Sequence, residues 1–147
     1  MIAVASAGGH WVQLRRLDPL FLEHDTYYVT TLEGAAKPDD GRAPMIIPDA
    51  SRSEPLKLLL LWFRMLLLLV RLRPDVIVTT GAAPGLIAIQ IGKILLRSHT
   101  IWIDSIANSE TLSMSGKMAS RFADLWVTQW PHLAETQPNL RYFGAVL

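Results

Sequence analysis

The sequence predicts an α/β fold built on a doubly wound, mostly parallel, Rossmann-like sheet. Two observations carry the prediction. Short apolar runs rich in β-branched residues alternate with longer helical stretches from one end of the chain to the other. The runs are also continuously apolar rather than alternating, as strands covered on both faces must be. Alternation of strand and helix implies right-handed crossovers into one sheet.

The elements follow in order. Residues 2–6 (Ile-Ala-Val-Ala-Ser) read as the first strand and residues 11–21 as the first helix. Strands at 26–31 and 45–47 flank a polar loop rich in Gly and Pro, residues 33–44. The second helix covers residues 54–72, with Ser51 and Glu54 at capping-box spacing and Pro55 in its first turn. Strands at 76–80, 100–104 and 125–129 then alternate with helices at 84–96 and 111–122. No internal repeat is present, and 147 residues suit one domain, 1–147, with one full core.

Composition narrows the function classes. A net charge of +1 gives no argument for nucleic-acid binding. The absence of cysteine excludes disulfides, thiolate metal sites and cysteine nucleophiles. No acidic or histidine cluster suggests a metal, and no P-loop or Gly-x-Ser-x-Gly elbow is present. Met1 leads straight into the first strand without a charged leader, so a cytoplasmic location is expected.

Ligands of an open parallel sheet bind beyond the carboxyl ends of its strands, where strand order reverses. Three segments fall at such ends. In Ser6-Ala7-Gly8-Gly9-His10, Gly8 and Gly9 allow a sharp turn and leave N–H groups at a helix start, a natural anion site. His10 at its mouth suits a base or an oxyanion donor; the same letters also suit a plain strand-to-helix turn. In Thr79-Thr80-Gly81-Ala82-Ala83-Pro84-Gly85, the candidates are Thr80, Gly81, Ala82 and Gly85, small residues that present backbone donors before Pro84 starts a helix. Asp104-Ser105 ends the run Thr100-Ile101-Trp102-Ile103, where Asp104 could position a sugar hydroxyl or orient His10, or could serve as a helix cap. A dinucleotide-binding domain is the rival reading: Glu33 stands near a ribose-binding position, but Gly-x-Gly-x-x-Gly is missing after the first strand.

The stretch 55–73, PLKLLLLWFRMLLLLVRLR, is apolar on almost every side of a helix. Lys57, Arg64 and Arg71 recur every seven residues and form one cationic stripe, with Trp62 and Phe63 among the leucines. Residues 56–72 hold fourteen apolar side chains, worth roughly −6 kcal/mol on an insertion scale against about +3 for a central arginine. Energy therefore permits insertion, but topology does not, because the strands on either side belong to one sheet. The helix is expected to dock in the interface of an anionic membrane, the alternative being burial against a partner.

These segments together carry a resemblance. Ala-Ser-Ala-Gly-Gly-His, Thr-Thr-Gly-Ala-Ala-Pro-Gly and Ile-Trp-Ile-Asp-Ser, with Leu112–Lys117, Val127–Pro131 and the closing Tyr-Phe-Gly-Ala-Val-Leu, resemble the PssD-type subunits of bacterial exopolysaccharide synthesis. They also resemble the ALG-type membrane subunit that helps add the second N-acetylglucosamine to dolichol-linked oligosaccharide. The resemblance implies the N-terminal-type half of a GT-B glycosyltransferase split into two chains. It implies a separate donor-binding subunit that holds the UDP-sugar, and a polyprenyl-diphosphate-linked saccharide as acceptor. No cofactor or metal is needed, and the place of work would be the cytoplasmic face of the plasma membrane. His10 would be the base, and Gly81, Gly85, Asp104 and Ser105 would line the acceptor cleft. Eukaryotic relatives often carry Glu where Asp104 stands and usually begin with a membrane anchor; none is read before the first strand here, so a bacterial-type protein is expected. A scaffold that only recruits its partner to the membrane is the other reading.

Overall fold

Among the described residues seven strands, Ile2–Ala5 (β1), Tyr27–Thr30 (β2), Met45–Ile46 (β3), Val76–Gly81 (β4), His99–Ile103 (β5), Leu125–Thr128 (β6) and Leu140–Tyr142 (β7), form one sheet. The computed structural model describes residues 1–38, 41–51 and 53–146, so parts of the loop 33–44 and the segment Ser51–Glu54, and the final Leu147, lie outside the described residues. Strand order is β3-β2-β1-β4-β5-β6-β7, with every pairing parallel. Order reverses between β1 and β4, which makes the carboxyl ends of those two strands the switch point. The continuously apolar runs explain this arrangement, since all four side chains of β1 are buried.

The helices are Gly9–Arg15 (α1), Asp18–Phe21 (α2), Pro55–Leu72 (α3), Ala83–Ile91 (α4), Met114–Ala119 (α5) and Pro131–Ala134 (α6), with a π-helical turn at Gly92–Leu96 following α4. One core lies under α3 and α4 and includes Leu61, Met65, Leu69, Ile77, Trp102 and Trp126. A smaller one on the opposite face joins Ala3, Ala5, Trp11, Leu14, Tyr28 and Val78. On that second face α1 and α2 cover β1 and β2. Over β4, β5 and β6 an open apolar groove of about 550 Å³ remains, lined by Val78, Ile101, Ile103, Leu125 and Val127 and walled by residues 143–146.

Several boundaries differ from the sequence reading. The helix expected at 11–21 is two, because Pro19 lacks an N–H and its ring would strike the carbonyl of Arg15. Asp18 starts the second piece, buried between Arg15, 2.8 Å away, and the Tyr28 hydroxyl at 2.9 Å. The helix expected at 84–96 widens into the π turn at Gly92, where a Cβ would collide with Ile77. That expected at 111–122 shortens to α5, because Ser113 caps it by accepting from the Gly116 N–H at 2.7 Å. The capping box is also displaced: Glu54 is the residue before α3, not its third residue. Its carboxylate accepts from the Ser51 hydroxyl at 3.0 Å instead. The strand β7 and helix α6 went unread.

Helix α3 buries only one of its faces. Leu61, Met65 and Leu69, spaced by four, are fully buried and contribute about 2 kcal/mol apiece. Leu56, Leu59, Leu60, Phe63, Leu67 and Val70 are exposed on the opposite side. Because α3 connects β3 and β4 of one sheet, its two ends lie on the same side of any bilayer. Among the described residues no helix is long and apolar enough to cross a membrane.

Candidate functional site

The site is built at the switch point. Gly8 precedes α1 with φ 76° and ψ −140°, a conformation that glycine adopts without the cost a side chain brings. The first hydrogen bond of α1 runs from the Val12 N–H to the Gly8 carbonyl at 3.1 Å. The N–H groups of Gly9, His10 and Trp11 come before it in the turn and point out of the helix end. Opposite, β4 ends in Thr79-Thr80-Gly81, and the Ser6 N–H reaches the Gly81 carbonyl at 3.1 Å. The Gly81–Ala82 peptide is cis.

His10 is clasped to β4 from both ends. Its Nδ1 lies 2.7 Å from the Thr80 carbonyl oxygen, and the Thr80 hydroxyl donates to the His10 carbonyl at 2.7 Å. A carbonyl can only accept, so Nδ1 carries the proton in this bond, and a neutral imidazole then keeps the lone pair on Nε2. Gly81 must be glycine twice over: its φ is 114°, and a Cβ there would come within 2.9 Å of His10 Cε1. The half-buried ring lines a cleft of about 350 Å³ together with Ala82, Ser105, Asn108 and Ser115.

Asp104, 1% exposed, makes no hydrogen bond to His10 and organises the other wall of that cleft. Its carboxylate accepts from Trp102 Nε1 at 3.1 Å, Asn108 Nδ2 at 3.1 Å, the Ser113 N–H at 3.0 Å and the Ser113 hydroxyl at 2.6 Å. Four donors on one carboxylate fix the loop from 105 to 113. A Cβ on Gly116 would run into this carboxylate, so α5 packs directly on it. Ser105 accepts from Gln13 Nε2 at 3.1 Å and lines the cleft. Gly85 lies inside α4, where any side chain would collide with Thr79, and it does not line the cleft.

Two residues that sequence reasoning passed over hold these parts together. Gln13, buried at 5%, accepts through Oε1 from the Ile106 N–H at 3.2 Å and from Gln129 Nε2 at 2.7 Å. Gln129 also donates to the Asp104 carbonyl at 2.9 Å and accepts from the Val146 N–H at 2.8 Å. The signal was present: Gln13 interrupts the apolar face of α1 one turn after His10, and Gln129 ends an apolar strand. A polar residue at such a core position must find buried partners.

The stripe on α3 is divided. Lys57 pairs with Glu54 at 2.5 Å. Hydrogen bonds from Lys57 and Ser51 hold the Glu54 carboxyl below the ordinary carboxylate range, and Glu54 in turn raises Lys57. Arg64 and Arg71 are exposed beside the apolar face, as is Phe63, while Trp62 stands at its edge. Among the described residues no group of acidic, histidine or cysteine side chains could hold a metal ion.

Solved structures share this architecture. MurG from Acinetobacter baumannii matches 90% of this chain and 42% of its own, with TM-score 0.67 and 14% identity. UDP-N-acetylglucosamine 2-epimerase from Rickettsia bellii matches 99% and 44%, with TM-score 0.72 and 13% identity. The fold is thus the Rossmann-like N-terminal type of a GT-B protein. Residues 49–146 match the family described as "Oligosaccharide biosynthesis protein Alg14 like", and the chain belongs to that family. Relatives include the "UDP-N-acetylglucosamine transferase subunit ALG14" of Mus musculus, 33% identical over 59% of this chain and 42% of its own. The subunit of the same name from Eremothecium gossypii is 34% identical over 50% of this chain and 35% of its own. The matches thus span well under half the length of these relatives.

Proposed function

We propose that this chain is the acceptor-binding, membrane-docked subunit of a two-chain glycosyltransferase, with His10 as the base. The observation that carries the reading is the clasp on His10, which engages Nδ1 with the Thr80 carbonyl, leaves Nε2 outside that bond and holds the ring on the lining of a cleft at the switch point. In an inverting transfer, Nε2 takes the proton of the acceptor hydroxyl as its oxygen attacks the anomeric carbon of the sugar. The bond from that carbon to the nucleoside diphosphate breaks as the new one forms. The N–H groups at the start of α1 suit the diphosphate that links the acceptor saccharide to its lipid.

The donor is a UDP-sugar held mainly by a separate subunit, as the names of the relatives suggest. The open groove over β4, β5 and β6 gives that subunit an apolar docking surface next to the site. The exposed leucines of α3 would lie in the membrane interface on the cytoplasmic side, with Arg64 and Arg71 at anionic headgroups. A scaffold role is the second reading, favoured by Asp104, whose carboxylate is fully occupied by the loop it holds.

The test is transfer of radiolabelled sugar from UDP-N-acetylglucosamine to membrane acceptor. The chain alone should give no product, and adding the donor-binding subunit should restore it. Turnover by the isolated chain would end the two-subunit reading.

A further inference from the structure

A second groove, of about 590 Å³, opens at the foot of the sheet between the end of α3 and the π turn. Arg73 and Arg97 line it, with His99, Asp75, Val70 and Leu95. These two arginines are the non-glycine residues with positive φ among the described residues, at 44° and 58°. Each ends a helical segment: the Arg73 N–H bonds the Leu69 carbonyl at 2.7 Å, and Arg97 closes the π turn. Glycine or asparagine fills such a left-handed position at lower cost. Helix termination therefore accounts for the backbone but not for the side chains.

The charge is unbalanced. Neither guanidinium has an ion-pair or hydrogen-bond partner among the described residues, and Asp75 is the one carboxylate on the lining. Two lining residues are apolar and exposed, Val70 at 45% and Leu95 at 56%, and Ile94, next to Leu95 in the π turn, is 65% exposed. Val70 continues the exposed apolar strip of α3. By helical spacing, Arg64 and Arg71 border that strip on one side and the Arg73 end borders it on the other. A soluble anion would gain nothing from these apolar residues, whereas a lipid would fill both halves.

We infer that the groove between α3 and the π turn seats the phosphate of an anionic phospholipid between Arg73 and Arg97, with Ile94 and Leu95 among the acyl chains. This rests on the membrane docking of α3 and adds to it a specific headgroup site.

The test is partition of the full chain onto phosphatidylcholine vesicles with and without phosphatidylglycerol. Arg73→Asn with Arg97→Asn removes both charges, and asparagine keeps the left-handed backbone, so the melting temperature should hold or rise. Binding to the phosphatidylglycerol vesicles should weaken about 25-fold, each arginine near an anionic surface giving about fivefold. Binding to neutral vesicles should stay as it was. A control pair, Lys37→Asn with Arg141→Asn, removes the same charge elsewhere and should cost threefold at most, by loss of long-range attraction alone. If the arginine pair behaves like the control while wild type binds, the groove assignment is wrong and α3 docking stands. If wild type binds neither vesicle, the docking of α3 falls and takes this site with it. Displacement by inorganic phosphate at matched ionic strength would make the groove a free-anion site and overturn the lipid assignment.

Discussion

The imidazole Nδ1 of His10 lies 2.7 Å from the carbonyl oxygen of Thr80, and the Thr80 hydroxyl returns a 2.7 Å bond to the His10 carbonyl. Two residues seventy positions apart thus fix one ring across the switch point between β1 and β4. The carbonyl half of this clasp survives any substitution of Thr80, but the hydroxyl half does not.

Thr80→Val should remove the hydroxyl donor from the His10 carbonyl, costing about 0.5–1.5 kcal/mol of stability. In the assembled pair, kcat should fall roughly tenfold as the ring loses its alignment. Thr80→Ser keeps the hydroxyl and should recover most of the rate. Equal kcat for the valine and serine variants would show that the hydroxyl does not position His10.

Asp104→Asn exchanges a four-fold acceptor for a group with one acceptor oxygen and two unwanted donors. Leaving buried donors unpaired should cost about 3 kcal/mol, or about 10 °C in melting temperature for a domain of this size. Thermal unfolding of the variant measures it. A shift of less than about 2 °C would mean that the loop from 105 to 113 does not depend on this carboxylate.

Asp124 supplies a pH dependence. Burial pushes its carboxyl up, but hydrogen bonds from Lys93 and from the N–H and hydroxyl of Thr100 outweigh this and hold it below the ordinary value of 3.8. A folded-state value lowered in this way stabilises the protein above the unfolded-state pKa, and the benefit fades as pH falls through the lowered value. The carboxylate side chain is 36% exposed, so solvent screening limits the effect to under about 1 kcal/mol. Asp124→Asn should therefore be less stable than wild type at pH 7, and the two should converge in acid. Denaturant unfolding across this range checks it; a gap that widens toward acid would reverse the assignment.

Phe143 stands at the wall of the apolar groove, 75% exposed. Phe143→Glu should leave the stability of the isolated chain within about 0.5 kcal/mol and weaken pairing with the donor-binding subunit at least tenfold. Titration calorimetry of the pair reads this directly. Unchanged affinity would remove the groove from the interface.

The parts legible in the sequence were those with a local physical signature. Continuous apolar runs revealed β1 through β6, and paired glycines with His10 revealed the switch-point loop. The edge strand β7 escaped because Arg141 and Tyr142 face solvent, leaving Leu140 as its sole buried residue. The helix 11–21 was read through Asp18-Pro19 because the apolar spacing continues across the break. The acceptor network of Asp104 could not be read at all, since its donors, from Trp102 to Ser113, converge only after the loop folds. Gln13 and Gln129 each broke an apolar pattern and so were visible singly, but their pairing was not, because the 2.7 Å bond joins positions 116 residues apart.

The central claim is that this chain supplies the base. The most direct measurement is single-turnover sugar transfer by the pair carrying His10→Ala, with assembly verified by calorimetry. Loss of the base should lower the rate about 100-fold or more while pairing and melting temperature stay close to wild type. A rate near wild type in a properly assembled pair would contradict the account and leave the chain a scaffold.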